Sequence, residues 1–309
     1  MRRTLVLGIV VVFGVLSLAV QAVQQRPAPS ADALQVDKLK DNLYVLRGAG
    51  GNTAAFIMSN GVLLVDTKLS GWGQPLMAKL KTLTDKPITT IVNTHTHFDH
   101  VNGNVELPAN LEIVTHANTK TYMDQANPVT GLQTGQQKNI FKEAGGKGMP
   151  TRTFTDRLTL GKGADQVDLY YHGRAHTGGD VWVVFPALRV MHSGDAFAGK
   201  SLPIMDANNG GSGVAYPDTI AAGAANAKKL NIETIITGHS PTTMTVTDLE
   251  EFARFTREFV RTVQEGKKAG KTADEIAAAW KTPAQFTGYG MTPPARVKSY
   301  AQVIFDETK

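Results

Sequence analysis

The apolar run Ile88 to Val92 stops at Thr94-His95-Thr96-His97-Phe98-Asp99-His100, which crowds three imidazoles and one carboxylate into six residues. A short apolar run bounded by polar residues reads as a buried strand. The polar cluster is then a loop on a rigid base, the usual setting for binding and catalytic groups. Neutral imidazole and carboxylate are ligands that zinc accepts, and a catalytic zinc takes three of them with one position left open. Four donors so close in sequence cannot all reach one ion. The alternate spacing of His95 and His97 suits one metal, while the adjacent pair Asp99 and His100 points elsewhere and suits a second.

Composition narrows the chemistry further. The chain has 309 residues, 42% hydrophobic and 19% charged, which is ordinary for a globular protein with a substantial core, in one large domain or two. Cysteine is absent, so disulfides, thiolate nucleophiles and thiolate zinc ligands are excluded, and any metal is held by His and carboxylate. The formal charge of +5 falls to +3 without Arg2 and Arg3, too small an excess to argue for nucleic acid.

Residues 1–22 combine the basic start Met1-Arg2-Arg3, an apolar stretch from Leu5 to Val20 and the small residues of Val20-Gln21-Ala22. That is the pattern of a secretory signal peptide, with residues 23–33 as a linker and 34–309 as the functional domain. Arg2-Arg3 leaves twin-arginine export open beside the general secretory route. The expectation is a periplasmic or secreted protein with no stable membrane insertion after cleavage.

Val36 to Leu39, Leu43 to Leu46, Ala54 to Met58 and Val62 to Val65 read as strands, the last two joined by the turn Ser59-Asn60-Gly61. Trp72 to Leu83 has apolar residues at helical spacing and leads to the Ile88 strand, a strand-helix-strand crossover. After His100 a tight turn through Asn102-Gly103-Asn104 leads into a short helix, then a strand (Leu111 to Val114) and a helix (His116 to Ala126). Asn127 to Pro150 lacks a pattern of its own and is the candidate flap over a substrate. β-structure recurs at 153–154, 158–160, 167–172, 181–185, 189–191 and 232–236, with helices at 218–230, 246–264, 273–280 and 294–306.

His95-Thr-His97-Phe-Asp99-His100 resembles the H-x-H-x-D-H signature of the metallo-β-lactamase superfamily. His176, Asp195 and His239, each just past a predicted strand and close to a glycine, fit its remaining ligand positions, and the match covers roughly residues 35 to 265. The resemblance implies an α/β fold, the four-layer αβ/βα sandwich. It implies that His95, His97 and His176 bind one metal, that Asp99, His100 and His239 bind a second, and that Asp195 bridges them. Two Zn2+ are the implied cofactors, with Fe or Mn as alternatives, about 3.5–4 Å apart as in two-metal hydrolases. A water shared by the ions becomes the hydroxide that attacks a carbonyl carbon, with Asp99 orienting it and relaying its proton. Asp66, closing the strand Val62 to Val65, is either a turn residue or, as in the family, a brace for the ligand loop.

The implied partner is a small-molecule ester, lactone, thioester or lactam. A bridging Asp is typical of the thioesterase and lactonase groups, whereas the main β-lactamase classes generally carry Cys or Ser near that place. Export favours a β-lactamase proper, and a non-catalytic metal-binding or redox protein is a third reading. His172 and His192 fall inside strands and receive no role, beyond a possible bracing one for His192, and His116 opens a helix away from the ligand set. Asn208 to Gly213 is the loop expected beside the pocket. Oligomeric state is not legible.

Overall fold

The computed structural model describes residues 29–132 and 138–308. The signal peptide expected at 1–22 and most of the linker lie outside them. Ala31–Ala33 forms a single 3-10 turn, and Leu34 already packs in the core.

Strands β1 (Gln35–Lys40), β2 (Leu43–Arg47), β3 (Thr53–Ile57) and β4 (Val62–Val65) form an antiparallel meander. Helix α1 (Gly73–Lys81) then carries the chain to β5 (Ile88–Val92), parallel to β4 as the crossover pattern predicts. After α2 (Phe98–Val101), β6 (Glu112–His116) and β7 (Arg152–Phe154) add in parallel, with α3 (Ala117–Gln125) and α4 (Ile140–Glu143) between them. This sheet has seven strands in sequence order.

The second sheet is built from β8 (Arg157–Leu160), β9 (Val167–Tyr171), β10 (Val181–Phe185), β11 (Val190–His192) and β12 (Thr234–Ile236), in the order β12-β11-β10-β9-β8. Helix α5 (Tyr216–Lys229) makes the crossover to the parallel pair β11–β12. Helices α6 (Val246–Lys268), α7 (Ala273–Ala279) and α8 (Pro294–Glu307) complete the chain. Among the described residues no helix is long and apolar enough to cross a membrane.

Strands buried on both faces read as continuous apolar runs, and β4 (Val-Leu-Leu-Val) and β10 (Val-Trp-Val-Val-Phe) do so. Val45, Phe56, Val65 and Val92 of the first sheet meet Leu169, Val183, Phe185 and Ile236 of the second. On the outer side of the first sheet Leu64 and Ile91 pack under Leu76 and Leu80 of α1. On the outer side of the second, Trp182 and Met191 pack under Ile220 of α5, Phe252 of α6 and Ile304 of α8. The result is the expected four-layer sandwich.

Two local expectations change. The helix placed after His100 begins earlier, at Phe98, so Asp99 and His100 lie in its first turn. The His97 carbonyl already accepts from Val101 N, and Asn102–Glu106 continues only as a 3-10 turn. The segment 127–150 is not patternless: Asn139 caps α4 by accepting from Phe141 N and Lys142 N, and Phe141 packs with Val101 and Met123.

The parallel pairs β4–β5 and β11–β12 bring four strand C-termini to one edge of the sandwich. Ligand crevices of α/β sheets form at such ends, and Asp66, the His95–His100 loop, Asp195 and His239 all leave from them. Gly223 of α5 lies flat on Trp182, and a Cβ there would sit 2.8 Å from Trp182 Cη2. Gly223→Leu should therefore destabilise the fold by roughly 1–3 kcal/mol through overpacking, read as a lower urea midpoint; an unchanged midpoint would show that α5 can shift freely.

Candidate metal centre

His95, His97, His176 and Asp195 bring one ligand atom each within 4.8 Å of one another, and Asp99, His100 and His239 form a second such group. Asp195 stands between them. Its Oδ2 is 3.2 Å from His239 Nε2 and 3.7 Å from His176 Nε2, and its Oδ1 is 3.3 Å from His100 Nε2. All seven residues singled out in the sequence thus meet at one edge, in the two groups the resemblance implies.

The outer ring nitrogens are fixed by partners that can only accept, or whose proton is already committed. His176 Nδ1 lies 2.9 Å from the Ile204 carbonyl, His97 Nε2 2.7 Å from Asp206 Oδ2, and His100 Nδ1 2.7 Å from Asp66 Oδ2. The Thr94 hydroxyl donates to Asp66 Oδ2 at 2.7 Å and so accepts from His95 Nδ1 at 2.9 Å. With the outer nitrogen engaged, each ring in its neutral form would present its lone pair on the inner nitrogen.

Those inner atoms converge. His97 Nδ1 faces His176 Nε2 at 3.0 Å, and His100 Nε2 faces His239 Nε2 at 3.3 Å. His95 Nε2 and Asp195 Oδ1 are buried without a hydrogen-bond partner. Buried polar atoms are costly unless paired, and a cation fits lone pairs and carboxylate oxygens aimed at common points. The donor set therefore fits a metal.

The electrostatics agree. Burial, then the neighbouring imidazoles, hold His95 well below its ordinary pKa, in the neutral ligand form. Burial would raise the Asp195 carboxyl, but His239 and His100 outweigh it and keep it well below the usual carboxylate range. Asp195 in turn raises His239, and Asp195, Asp99 and Asp66 raise His100 against its burial. The same carboxylates that raise these two rings would favour a cation held between them.

Asp66 also neighbours His95 and His100, but its oxygens already accept from Thr94 N, Thr94 Oγ1 and His100 Nδ1. These bonds brace the loop that carries His95 and His100, the second of its two readings. Asp206, which sequence reasoning missed, does the same for His97. It also accepts from Thr130 N and Asn209 Nδ2, and these bonds hold its pKa at about 2 despite burial.

Lys68 is a second residue missed. It is wholly buried, and its Nζ donates to the Leu46 and Gly51 carbonyls at 2.6 Å each; burial pulls its pKa down to about 7. It fixes the strand-to-strand segment at Gly51, where Gly51 N donates to Asp99 O and Asn52 N to Gly238 O. A methyl on Gly51 would run into the His100 ring, and one on Gly238 into Asp195 Oδ1. Neither signal is visible without the tertiary contacts.

The other histidines stay outside the centre. His116 Nε2 meets the Thr155 carbonyl and its ring stacks on Tyr171. His172 lies between Tyr170 and Trp182. His192 is buried, bonded to Asn52 O and Gly194 N, beneath the ligand loops. The pocket loop differs from expectation: Gly199 and Ser201 to Ile204 wall the cavity at the candidate ligands, while of Asn208–Gly213 only Asn209 lines a smaller adjoining space. Of the expected flap, Val129 and Leu132 line the metal cavity and Lys138 to Phe141 the adjoining one.

The family model of the metallo-beta-lactamase superfamily matches residues 47–239. The chain belongs to that superfamily. It is 27% identical over 224 residues to a protein named metallo-beta-lactamase type 2 from Elizabethkingia meningoseptica, covering 67% of this chain and 78% of that one. It is 22% identical over 264 residues to a linear primary-alkylsulfatase from Pseudomonas sp. (strain ATCC 19151), covering 74% of this chain and about half (49%) of that protein's length. Among solved structures, a metallo-beta-lactamase from Pontibacter korlensis superposes with a TM-score of 0.57 at 19% identity, covering 72% of this chain and 99% of that one. The DIM-1 metallo-beta-lactamase gives 0.55 at 17% identity, covering 72% and 97%. At these identities the structures support the fold alone.

Asp66 serves both ligand groups at once, through Thr94 to His95 and directly to His100. Asp66→Asn should weaken zinc binding by about 10–100-fold, the usual cost of losing a ligand's orienting partner, while far-UV circular dichroism stays unchanged. Titration against a chromophoric chelator reads it, and wild-type affinity in the variant would remove Asp66 from the bracing role.

Proposed function

We propose that this chain is an exported, two-zinc hydrolase that cleaves an ester, lactone, thioester or lactam. The observation that carries the reading is Asp195, whose two oxygens stand between a His95-His97-His176 group and an Asp99-His100-His239 group. One carboxylate shared by two such groups is the donor arrangement of a dinuclear centre. Hydrolysis is supported by the superfamily membership and by the relatives' names, a beta-lactamase and a sulfatase. The basic and apolar opening of residues 1–22 supports export.

Zinc held there supplies water activation near neutral pH and polarisation of a carbonyl oxygen. The chain's own residues do the remaining work. Buried His95, His97 and His176 keep one group rigid, because each outer nitrogen is bonded. Asp99 and His239 are the accessible members, with side chains 19% and 41% exposed, and both line the cavity. Asp99 Oδ2, 3.3 Å from His239 Nε2, is placed to take the proton of the attacking water and to hand it to the leaving group. Phe98, Leu202 and Ile204 line the approach and limit bulk water around the reacting carbonyl.

A β-lactamase proper is the second reading, favoured by the 27% identity to a protein of that name. Elemental analysis of the purified protein, with turnover of a chromogenic cephalosporin, a lactone, a thioester, an aryl ester and an alkyl sulfate, decides between them. The expected result is about two zinc ions per chain and a clear preference for one carbonyl substrate, with His97→Ala folded but inactive and poor in metal. Preference for the cephalosporin establishes the second reading. Metal without turnover of any substrate would leave a binding or redox protein.

A further inference from the structure

The cavity that reaches the ligand groups holds about 330 Å³, at the lower end of the range for small-molecule sites. His97, Asp99, His176, Asp195 and His239 form its floor, and Phe98, Val129, Leu132, Leu202 and Ile204 are among its apolar walls. Arg296, in the first turn of α8, is the one lysine or arginine among its described lining residues.

The Arg296 side chain makes no ion pair or hydrogen bond among the described residues. Every Asp and Glu of the chain lies among those residues, since 1–28, 133–137 and 309 contain neither. None reaches it, although the other described arginines are ion-paired. Arg254 is the exception, and it does not line the cavity. Arg296 is itself exposed at the cavity rim, and the helix that carries it is anchored: Val297, Tyr300, Ala301 and Ile304 lie on the buried face of α8, and the Tyr300 ring lies beside Gly131, next to the cavity wall at Val129 and Leu132. A guanidinium is a planar, permanently charged fork that matches a carboxylate. An anion entering an apolar-walled cavity needs such a partner.

We propose that Arg296 is the specificity residue of this cavity, and that the substrate is an acyl compound with an apolar body and one carboxylate remote from the scissile carbonyl. The carboxylate pairs with Arg296 while the carbonyl sits over the His and Asp groups. This deepens the hydrolase reading and rests on it. It also goes beyond the family match, because α8 lies outside residues 47–239.

The test uses the zinc-supplied protein and mono-p-nitrophenyl esters of the dicarboxylic acids from succinic to suberic, each beside its neutral methyl diester. Wild type should prefer the monoanions, with an optimum chain length and a preference that shrinks with added salt. Arg296→Leu should lower kcat/KM for the best monoanion by about 10–100-fold, the range for losing a hydrogen bond to a charged group. It should leave the methyl diester within about twofold, and Arg296→Lys should recover part of the preference. Calorimetric binding of 6-phenylhexanoate against 6-phenylhexan-1-ol reads the same site without turnover. Tighter carboxylate binding that Arg296→Leu abolishes, with no ester cleaved, would keep the anion site and sink the hydrolase reading. Equal loss of both esters in Arg296→Leu, or carboxylate binding unchanged by it, would overturn the proposal.

Discussion

The candidate site depends on one buried carboxylate that stands behind both clusters of candidate ligands. Asp66 ends β4 at a positive φ of 63°, and its two oxygens accept from Thr94 N, Thr94 Oγ1 and His100 Nδ1. A non-glycine residue held there is strained by about 1–3 kcal/mol and persists only where the surroundings over-determine it. Here they do: Asp66 N is bonded to Val92 O across the parallel β4–β5 pair, and Thr67 N to His100 O. Turning the chain left-handed at this point aims the carboxylate at the next strand's loop. Through Thr94 it orients His95, and directly it orients His100, so the two ligand groups share one reference point.

Stability is spent to build this edge. His95 Nε2 and Asp195 Oδ1 are buried unpartnered, Lys68 carries an amine into the core, and glycines at 51 and 238 let backbone approach the ligands at van der Waals distance. The two packed sheets make this tolerable. Their shared core of Val45, Phe56, Val183 and Phe185 lies beneath the site and has no polar duty. A metal bound only by the folded state would return stability by mass action, which ties the integrity of this edge to its occupancy.

Much of this was legible in the sequence, and the boundary is physical. The seven donors were readable because each is a chemically distinctive residue at a strand end, and strand ends follow from apolar runs such as Ile88 to Val92. The β4 and β5 limits were read directly, since apolar residues give way abruptly to polar ones there. Asp206 and Lys68 were not legible. One lies in a Gly- and Asn-rich loop and the other looks like any surface lysine, and their roles come from contacts at 109 and 17 residues' separation. The early start of α2 was hidden for a related reason: a ligand loop and a first helical turn have the same polar composition, and only the His97 carbonyl's bonds to His100 N and Val101 N separate them.

The candidate ligands and the rest of the cavity wall come from different parts of the chain. Every donor lies at or before His239, within the span matched to the superfamily, and is fixed by the two sheets. Phe252 of α6 and Arg296 of α8 come after it, yet they reach the same cavity because these helices pack on the second sheet beside β11 and α5. Helices that cover a sheet face are free to change their outer residues without moving the ligands, whereas the strand ends are not. The family match over residues 47–239 therefore covers the candidate ligands and most of the cavity wall, while α6 and α8 add Phe252 and Arg296 from beyond it, and function is argued from those side chains rather than from the fold.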